Sequence, residues 1–269
     1  MKNRKSIFVT GAVRNTGLAI ARRFAAEGWA VTVSSRDGAA ARETAAALKR
    51  EYAGIETLGV AMDPARVEDI RAAFDEIRAR FGRLDAFVSN AANLGVGLSV
   101  LNTTPEDWDA VMNANARGTF FGAQEAAKLM PEGGAMVFVS SVHALKSIPG
   151  RVCYTASKAA IGGLVRSLAL ELGHKGIRVN SIIAGAIRSD RWDKLSEEEV
   201  AARRSRYPAG RESFPGEIAA AVRFLCSDEA RTVTGIEMPV DSGIGICLLP
   251  YNKEWARADP NNEKYWERK

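Results

Sequence analysis

The chain has 269 residues, of which 46% are hydrophobic, so it is long enough to bury a large core. Its formal net charge is +5, but Lys and Arg alternate with Asp and Glu along predicted helices, as in residues 71–80. No basic stripe interleaved with aromatic residues occurs, and we therefore expect no nucleic-acid binding. No apolar run approaches the ~18 residues of a membrane-spanning helix, and no apolar leader is found at the N-terminus, which predicts a cytoplasmic protein that does not bind membranes.

The three cysteines are scattered along the chain without the spacing of metal ligands, at Cys153, Cys226 and Cys247. An odd number of dispersed cysteines is typical of a reducing compartment. We therefore predict buried, inert thiols and no metal site.

Short apolar segments alternate with longer helical patterns, and no linker rich in Pro, Gly or Ser divides them. We predict strands at Ile7–Thr10, Ala30–Ser34, Thr57–Val60, Ala86–Ser89, Ala135–Ser140, Arg178–Ile183 and Met238–Val240. We predict helices at Thr16–Glu27, Ala39–Tyr52, Val67–Phe81, Pro105–Met130, Val152–Gly173 and Phe214–Ser227. Near-continuous apolar strands suit a parallel sheet that is covered on both faces. The order predicts one α/β domain over residues 1–269, a Rossmann-type doubly wound parallel sheet of about seven strands with helices on both faces.

A glycine-containing turn follows the first predicted strand, with the sequence Thr10-Gly11-Ala12-Val13-Arg14-Asn15-Thr16-Gly17. Such a turn brings backbone N–H groups and the positive end of a helix dipole to a pyrophosphate. Glycine permits the tight turn and the close approach, and asparagine tolerates a left-handed conformation. We predict that this turn binds a dinucleotide through Gly11, Arg14, Asn15, Thr16 and Gly17; an ordinary glycine-containing turn is the alternative.

The end of the second strand indicates which dinucleotide is preferred. It reads Val33-Ser34-Ser35-Arg36, where a fold that prefers NAD places an acidic residue on the ribose 2′-hydroxyl. No acidic residue stands there. Ser35 and Arg36, helped by Arg14, suit a 2′-phosphate through charge-assisted hydrogen bonds, which predicts NADP(H) over NAD(H). Two solvated arginines are the alternative.

Tyr154 and Lys158 are four residues apart and share one face of a predicted helix. An ammonium beside a phenol favours phenolate, so we expect Lys158 to lower the pKa of Tyr154 toward neutrality and make it a usable acid or base. The same spacing recurs at Tyr265 and Lys269, so the spacing alone is weak evidence. Ser141, thirteen residues before Tyr154 at the end of an apolar strand, distinguishes the first pair.

With the glycine turn, Ser141, Tyr154 and Lys158 together, the chain resembles the short-chain dehydrogenase/reductase family from about Ser6 to Gly243. The resemblance implies that Asn115 completes the catalytic set by supporting a water between Lys158 and solvent. It also implies cofactor contacts from Tyr154, Lys158, Asp63, Asn90, Ala91, Gly185, Ile187 and Ser189. The chain departs from the family pattern at Asn15, Ala92 and Ser242, where the family has glycine, and at Ser89 and Ala184.

The resemblance implies a carbonyl reductase, that is, an NADP(H)-dependent oxidoreductase that interconverts a carbonyl compound and its alcohol by hydride transfer. Tyr154 would protonate the carbonyl oxygen in reduction, or take the hydroxyl proton in oxidation, while Ser141 holds that oxygen. Lys158 would also bind the nicotinamide ribose. Two alternatives remain open: a dinucleotide-binding redox sensor without turnover, and an epimerase or dehydratase that uses transient oxidation.

The substrate is a small molecule, and its candidate contacts are Asn93, His143, Arg188 and Trp192. The arginines near the site favour an anionic or polyhydroxylated carbonyl compound, with a solvated lid as the alternative. Residues 244–269 form a C-terminal extension that begins with an apolar stretch. We predict that this extension packs at the subunit interface of a homotetramer or homodimer, with a tail folded on its own subunit as the alternative.

Overall fold

The computed structural model describes residues 4–247, and within them seven parallel strands form one sheet in the order β3-β2-β1-β4-β5-β6-β7. The strands are β1 (Ser6–Val9), β2 (Ala30–Ser35), β3 (Thr57–Ala61), β4 (Ala86–Ser89), β5 (Ala135–Ser141), β6 (Arg178–Ala184) and β7 (Glu237–Val240). The order reverses direction at β1, as in a doubly wound sheet. The predicted fold class and strand number are therefore confirmed.

Helices cover both faces of this sheet. They are α1 (Asn15–Ala26), α2 (Gly38–Glu51), α3 (Val67–Phe81), α4 (Pro105–Met112), α5 (Gly118–Leu129), α6 (Val152–Leu172), α7 (Glu197–Arg204) and α8 (Pro215–Leu225). The apolar faces of α1, α2 and α8 pack on one side of the sheet, and those of α3, α5 and α6 pack on the other. Alternate strand residues serve the two cores, since Ile7 and Val9 face the first and Phe8 faces the second.

The segment predicted as one helix at Pro105–Met130 is helical from Pro105 to Leu129, but a π-helical turn at Asn113–Arg117 divides it into α4 and α5. Such a turn displaces backbone carbonyls from their usual partners. Here the hydroxyl of Thr119 donates to the Asn115 carbonyl over 2.6 Å and satisfies it. The helical periodicity is the same on both sides of the turn, so the pattern gave no sign of the insertion.

The thiol prediction holds for two of the three cysteines. Cys153 and Cys226 are buried, and burial raises the pKa of the Cys226 thiol to about 12. Cys247 is only half-buried, because it lies at the start of the C-terminal extension. Among residues 4–247 no group of three potential metal-ligating side chains is found. In that same part of the chain, every helix is too short or too polar to cross a membrane.

Gly59 in β3 packs directly against the backbone of α2, and this close contact generates a stability prediction. A Cβ at this position would lie 2.4 Å from the backbone oxygen of Ala41. Gly59→Ala should therefore lower the free energy of unfolding by about 1–3 kcal/mol through overpacking, measured by urea denaturation. Gly163 on α6 is exposed with nothing within 4 Å of its Cβ position. Gly163→Ala should raise the free energy of unfolding by about 0.5–1 kcal/mol, and equal effects of the two variants would contradict this packing.

Candidate active site

The glycine-containing turn joins β1 to α1 at the carboxyl edge of the sheet. Gly11 has φ +61°, and Asn15 has φ +47°, so the left-handed conformation expected of Asn15 is confirmed. A Cβ on Gly17 would lie 2.4 Å from the Gly11 carbonyl oxygen. The turn thus folds so tightly on itself that no side chain fits at Gly17, and the start of α1 stays open for an anion.

Asn90, directly after β4, holds this turn in place. Its side-chain amide donates to the carbonyls of Thr10 over 2.9 Å and Gly11 over 3.1 Å. The Thr10 hydroxyl accepts in return from the backbone N–H groups of Asn90 at 2.9 Å and Ala91 at 3.0 Å. The Asn90 side-chain amide therefore holds the glycine-containing turn in its conformation. Its predicted contact with the cofactor stays a prediction.

Near the end of β2, two arginines carry positive charge that no described acidic residue pairs with. Arg14 and Arg36 are both exposed, and neither forms an ion pair with another described residue. The nearest acid, Asp37, instead caps α2, because its carboxylate accepts from the backbone N–H groups of Ala39 at 2.9 Å and Ala40 at 3.1 Å. The Ser35 hydroxyl accepts from the Asp37 backbone at 3.2 Å. An acid that could bind a ribose 2′-hydroxyl is thus engaged elsewhere.

Asp63, the predicted adenine contact, follows β3 in a compact turn. Its carboxylate accepts from the Ala65 backbone N–H at 3.0 Å, and its own N–H donates to the Asp69 carboxylate at 3.1 Å. The turn places Asp63 at the same edge of the sheet as Ser35, since β2 and β3 pair in parallel through Ser35 and Ala61.

Tyr154 and Lys158 lie in the first two turns of α6, and both are buried. The Lys158 Nζ lies 5.6 Å from the centroid of the Tyr154 ring and donates to the Val139 carbonyl of β5 over 2.8 Å. Burial lowers the pKa of Lys158 to about 8, because desolvation disfavours the charged form. Tyr154 and Lys158 therefore share one face of α6, as their four-residue spacing predicts.

The expected direction of the Tyr154 pKa is wrong for this structure. Burial raises the pKa of the Tyr154 phenol, and the neighbouring Ser141 hydroxyl and the Arg151 charge only partly oppose that rise. Sequence reasoning considered the nearby ammonium but could not include desolvation, which is the larger effect here. The Tyr154 phenol is consequently protonated at neutral pH.

Ser141 is the last residue of β5 and caps the short 3₁₀ turn Val142–Ala144. Its hydroxyl oxygen accepts from the His143 backbone N–H at 3.2 Å, and its hydroxyl hydrogen is directed to the neighbouring Tyr154 phenol. In the sheet register Ser141 stands beside Ala184, the last residue of β6. The serine and the turn after β6 therefore face the same space beyond the strand ends.

Asn115 lies in the π-helical turn and is buried. Its side chain donates to the Asn93 carbonyl at 2.8 Å and to the Ser157 hydroxyl at 2.9 Å, and it accepts from the Asn93 N–H at 2.7 Å. The Ser157 hydroxyl donates onward to the Tyr154 carbonyl at 2.8 Å. Asn115 thus ties the loop after β4 to the helix that carries Tyr154. Sequence reasoning missed Ser157, although it directly precedes Lys158.

The turn after β6 is packed against the strand end of β7. A Cβ on Gly185 would lie 2.9 Å from the Asp241 Cα, so only glycine fits. Ile187 pairs with Ser213 as an isolated β-bridge, and the Ser189 carbonyl accepts from the Trp192 N–H at 2.8 Å. These contacts fix the turn that the family resemblance assigns to the nicotinamide end.

Of the four candidate substrate residues, His143 packs against the ring of Tyr154. Its ring centroid is 5.5 Å from that of Tyr154, and its buried Nδ1 has no partner among the described residues. Burial, with the Arg151 charge, lowers the pKa of His143, so its imidazole is neutral at pH 7. Asn93 contributes its backbone to the Asn115 network and places its side chain on the Gly95 N–H at 3.1 Å.

Arg188 and Trp192 lie instead on an open cavity of about 1020 Å³ that Tyr154 does not line. Arg188 forms ion pairs with Asp193 at 3.0 Å and Glu212 at 3.4 Å. Trp192 is buried under the guanidinium groups of Arg188 and Arg203. The charge of Arg188 is therefore already paired, and the preference for an anionic or polyhydroxylated carbonyl compound stays a prediction.

The C-terminal extension begins with a 3₁₀ turn at Ile244–Ile246, which the Asp241 carboxylate caps by accepting from Gly243 at 2.9 Å and Gly245 at 2.8 Å. Residues 248–269 lie outside the described residues. The predicted subunit contact of the extension and the second Tyr-Lys pair fall there.

Comparison with known proteins agrees with this geometry. A family model described as enoyl-(acyl carrier protein) reductase matches residues 11–245. The chain is 35% identical over 248 residues to a 3-oxoacyl-acyl-carrier-protein reductase of Staphylococcus aureus, covering 91% of this chain and 99% of that protein. It is 37% identical over 254 residues to 3beta-hydroxysteroid dehydrogenase 1 of Eggerthella lenta, covering 90% and 94%.

Two solved structures are similar over the same span. A short-chain dehydrogenase from Burkholderia cenocepacia in complex with NADP has a TM-score of 0.83 and 32% identity, covering 91% of this chain and 99% of that one. A blue fluorescent protein from a metagenomic library in complex with NADPH has a TM-score of 0.83 and 31% identity, covering 90% and 98%. The chain belongs to the short-chain dehydrogenase/reductase family. The predicted family and its enzyme class, an oxidoreductase, are confirmed.

The buried ammonium of Lys158 generates a pH prediction. Its folded pKa of about 8 lies below the ordinary value of 10.5, so the unfolded chain binds more protons between these pH values and stability rises with pH there. Lys158→Met removes this dependence. The free energy of unfolding of the natural chain, relative to that variant, should therefore increase by about 2–3 kcal/mol from pH 7 to pH 10, measured by urea denaturation without cofactor. A constant difference would show that Lys158 is not desolvated.

Proposed function

We propose that the protein is an NADP(H)-dependent oxidoreductase that interconverts a carbonyl compound and the corresponding alcohol. The observation that carries this proposal is the buried, protonated phenol of Tyr154, with Ser141 and Lys158 beside it at the carboxyl edge of the sheet. The relatives named above as a 3-oxoacyl reductase and a hydroxysteroid dehydrogenase support a reaction at C=O and CH–OH groups.

The residues present fit a dinucleotide. The turn from Gly11 to Gly17 leaves no room for a side chain at Gly17, while the exposed Arg14 and Arg36 offer free guanidinium groups near the end of β2. These residues, with Asp63, Ala91, Ile187 and Ser189, would hold the cofactor. When bound, NADPH supplies the hydride, so the protein contributes orientation and electrostatics.

The protein's own part in the reaction is to hold the oxygen and move one proton. The Ser141 hydroxyl, which is hydrogen-bonded to the Tyr154 phenol, would turn its hydrogen to the substrate oxygen and hold that oxygen near Tyr154. In reduction, the Tyr154 phenol gives its proton to that oxygen as negative charge develops there. Lys158 is largely protonated at neutral pH, and its charge stabilises the phenolate left on Tyr154. The phenol carries its proton before the step, but its raised pKa makes it a weaker acid, so the proposed transfer depends on the charge of Lys158.

Two solved relatives in complex with NADP and NADPH support the choice of cofactor. Preference over NAD(H) is supported by Arg14 and Arg36 and by the engagement of Asp37 as a helix cap. A sensor without turnover has no need of the Ser141, Tyr154 and Lys158 arrangement. An epimerase or dehydratase would regenerate its cofactor within each cycle, so stoichiometric NADPH consumption separates it from the proposed enzyme. The cytoplasmic location and the homo-oligomer stay predictions.

Removing the phenolic hydroxyl tests the role of Tyr154. Tyr154→Phe should lower kcat by about 10²–10⁴-fold, because proton donation is lost, while NADPH affinity changes little. Turnover is followed by NADPH absorbance over ketones, keto acids, sugars and acyl thioesters, and affinity by fluorescence titration. Tyr52→Phe, at the end of α2, is the matched control. Near-full activity in Tyr154→Phe would overturn the proposed mechanism.

Reversing the charge of Arg36 tests cofactor preference. Arg36→Asp should lower kcat/KM for NADPH by about 10–100-fold and leave that for NADH equal or higher, because a 2′-phosphate then meets a carboxylate. Arg50→Asp makes the same charge change at the exposed far end of α2 and should leave the ratio within about twofold, as expected for a screened surface charge. A natural chain that prefers NADH, or an unchanged ratio in Arg36→Asp, would contradict the proposal.

A further inference from the structure

The most unusual charged group outside the catalytic set is the carboxylate of Glu212, which is fully buried. It accepts from Arg204 Nε at 2.7 Å and Arg204 Nη2 at 2.8 Å, and from Arg188 Nη1 at 3.4 Å. The Arg204 guanidinium holds the pKa of this carboxyl at about 2, so the charge persists at every physiological pH. A buried carboxylate is stable only when it is paired in this way.

The turn after β6 connects this ion cluster to the strand end that carries Ser141. Arg188 follows the turn after β6, and its backbone pairs with Ser213, the neighbour of Glu212, at 2.8 Å. That turn starts beside Ser141, since Ser141 and Ala184 are register partners at the ends of β5 and β6. Arg204 belongs to α7, the far wall of the cavity of about 1020 Å³. Glu212 thus connects the turn beside the catalytic serine to the helix across the cavity.

The charges of this wall decide which substrate group it accepts. Arg188 and Arg204 line the cavity together with Asp193 and Glu197, and Glu212 lies behind the two arginines. Two cationic and two anionic groups therefore line the cavity, while Arg203 over the ring of Trp192 and the buried Glu212 add one charge of each sign behind it. Without Glu212 the cationic groups would outnumber the anionic ones, and the Arg204 guanidinium would lose its partner.

We propose that Glu212 is a specificity-determining residue, which neutralises Arg188 and Arg204 and so favours an uncharged substrate group in this cavity over an anionic one. This inference rests on the proposed function, because it assigns the cavity to the substrate of the same reaction. It acts through the two arginines rather than through contact with the reacting atoms.

The test compares a keto acid with its neutral analogue. We use phenylglyoxylate and its methyl ester, with NADPH, and take the ratio of kcat/KM for acid over ester. Glu212→Gln should raise this ratio by about tenfold, since one unit of negative charge is lost from a partly desolvated wall. A defect that is merely structural would lower both values and leave the ratio unchanged, which would overturn the proposal.

The matched control is Glu217→Gln. Glu217 also pairs with an arginine through both carboxylate oxygens, but its partner Arg211 does not line the cavity, whereas both arginine partners of Glu212 do. This variant should leave the ratio within about twofold, and a rise equal to that of Glu212→Gln would also overturn the proposal. If Glu212→Gln does not fold, Arg188→Gln is the second test. This variant removes a partly exposed cation while Arg204 still pairs with Glu212. The ratio of kcat/KM for acid over ester should then fall by about threefold.

Binding of non-reacting probes separates this inference from the proposed function. Benzoate and benzamide are titrated by calorimetry into the NADP⁺-loaded natural chain and Glu212→Gln. The variant should bind benzoate more tightly relative to benzamide, by about tenfold, whether or not turnover is found. If the natural chain reduces no carbonyl compound but the binding ratio shifts, the proposed function fails and the role of Glu212 in the cavity stands; an unshifted binding ratio overturns that role.

Discussion

The hydrogen bond from the Lys158 ammonium to the Val139 carbonyl is the contact on which the arrangement of the active site depends. Strand β4 ends opposite Phe138, so the last three residues of β5 extend past it toward the catalytic edge. Lys158 reaches this extension from α6 and fixes the helix relative to the strand that carries Ser141. The bond requires a charged group to be buried, which costs stability because the desolvated ammonium loses its hydration. The position of Tyr154 against Ser141 follows from this one costly contact.

The fold and the outline of the site could be predicted from sequence because they depend on local patterns. Apolar runs of β-branched residues define parallel strands. A glycine-containing turn after the first strand predicts a phosphate-binding turn independently of the rest of the sequence. The two non-glycine residues with positive φ among residues 4–247 are Asn15 and Ser242, at φ +47° and +56°. Both stand where the related family carries glycine. The resemblance therefore identified positions where the backbone, rather than the side chain, is constrained.

The features that sequence reasoning missed depend on burial and on partners distant in the chain. The rise in the Tyr154 pKa comes from desolvation, which a four-residue spacing cannot reveal. The pairing of Arg188 with Glu212 joins residues 24 positions apart, and nothing near Glu212 in the sequence indicates that it is buried. The π-helical turn at Asn113–Arg117 leaves the apolar periodicity intact on both sides. These features depend on tertiary structure, and they affect the chemistry of the site more than they affect the fold.

Arginines have opposite roles near the end of β2 and in the cavity beside α7. Arg14 and Arg36 are exposed and have no acidic partner among residues 4–247, so their charge is available to an anion at the end of β2. Arg188 and Arg204 are neutralised by a carboxylate that no solvent reaches. A net charge of +5 therefore says little about the substrate, because the charge that matters is the local excess after pairing. The enzyme can attract an anionic cofactor and still present a wall that disfavours an anionic substrate, since the two sets of arginines differ only in whether a buried acid accompanies them.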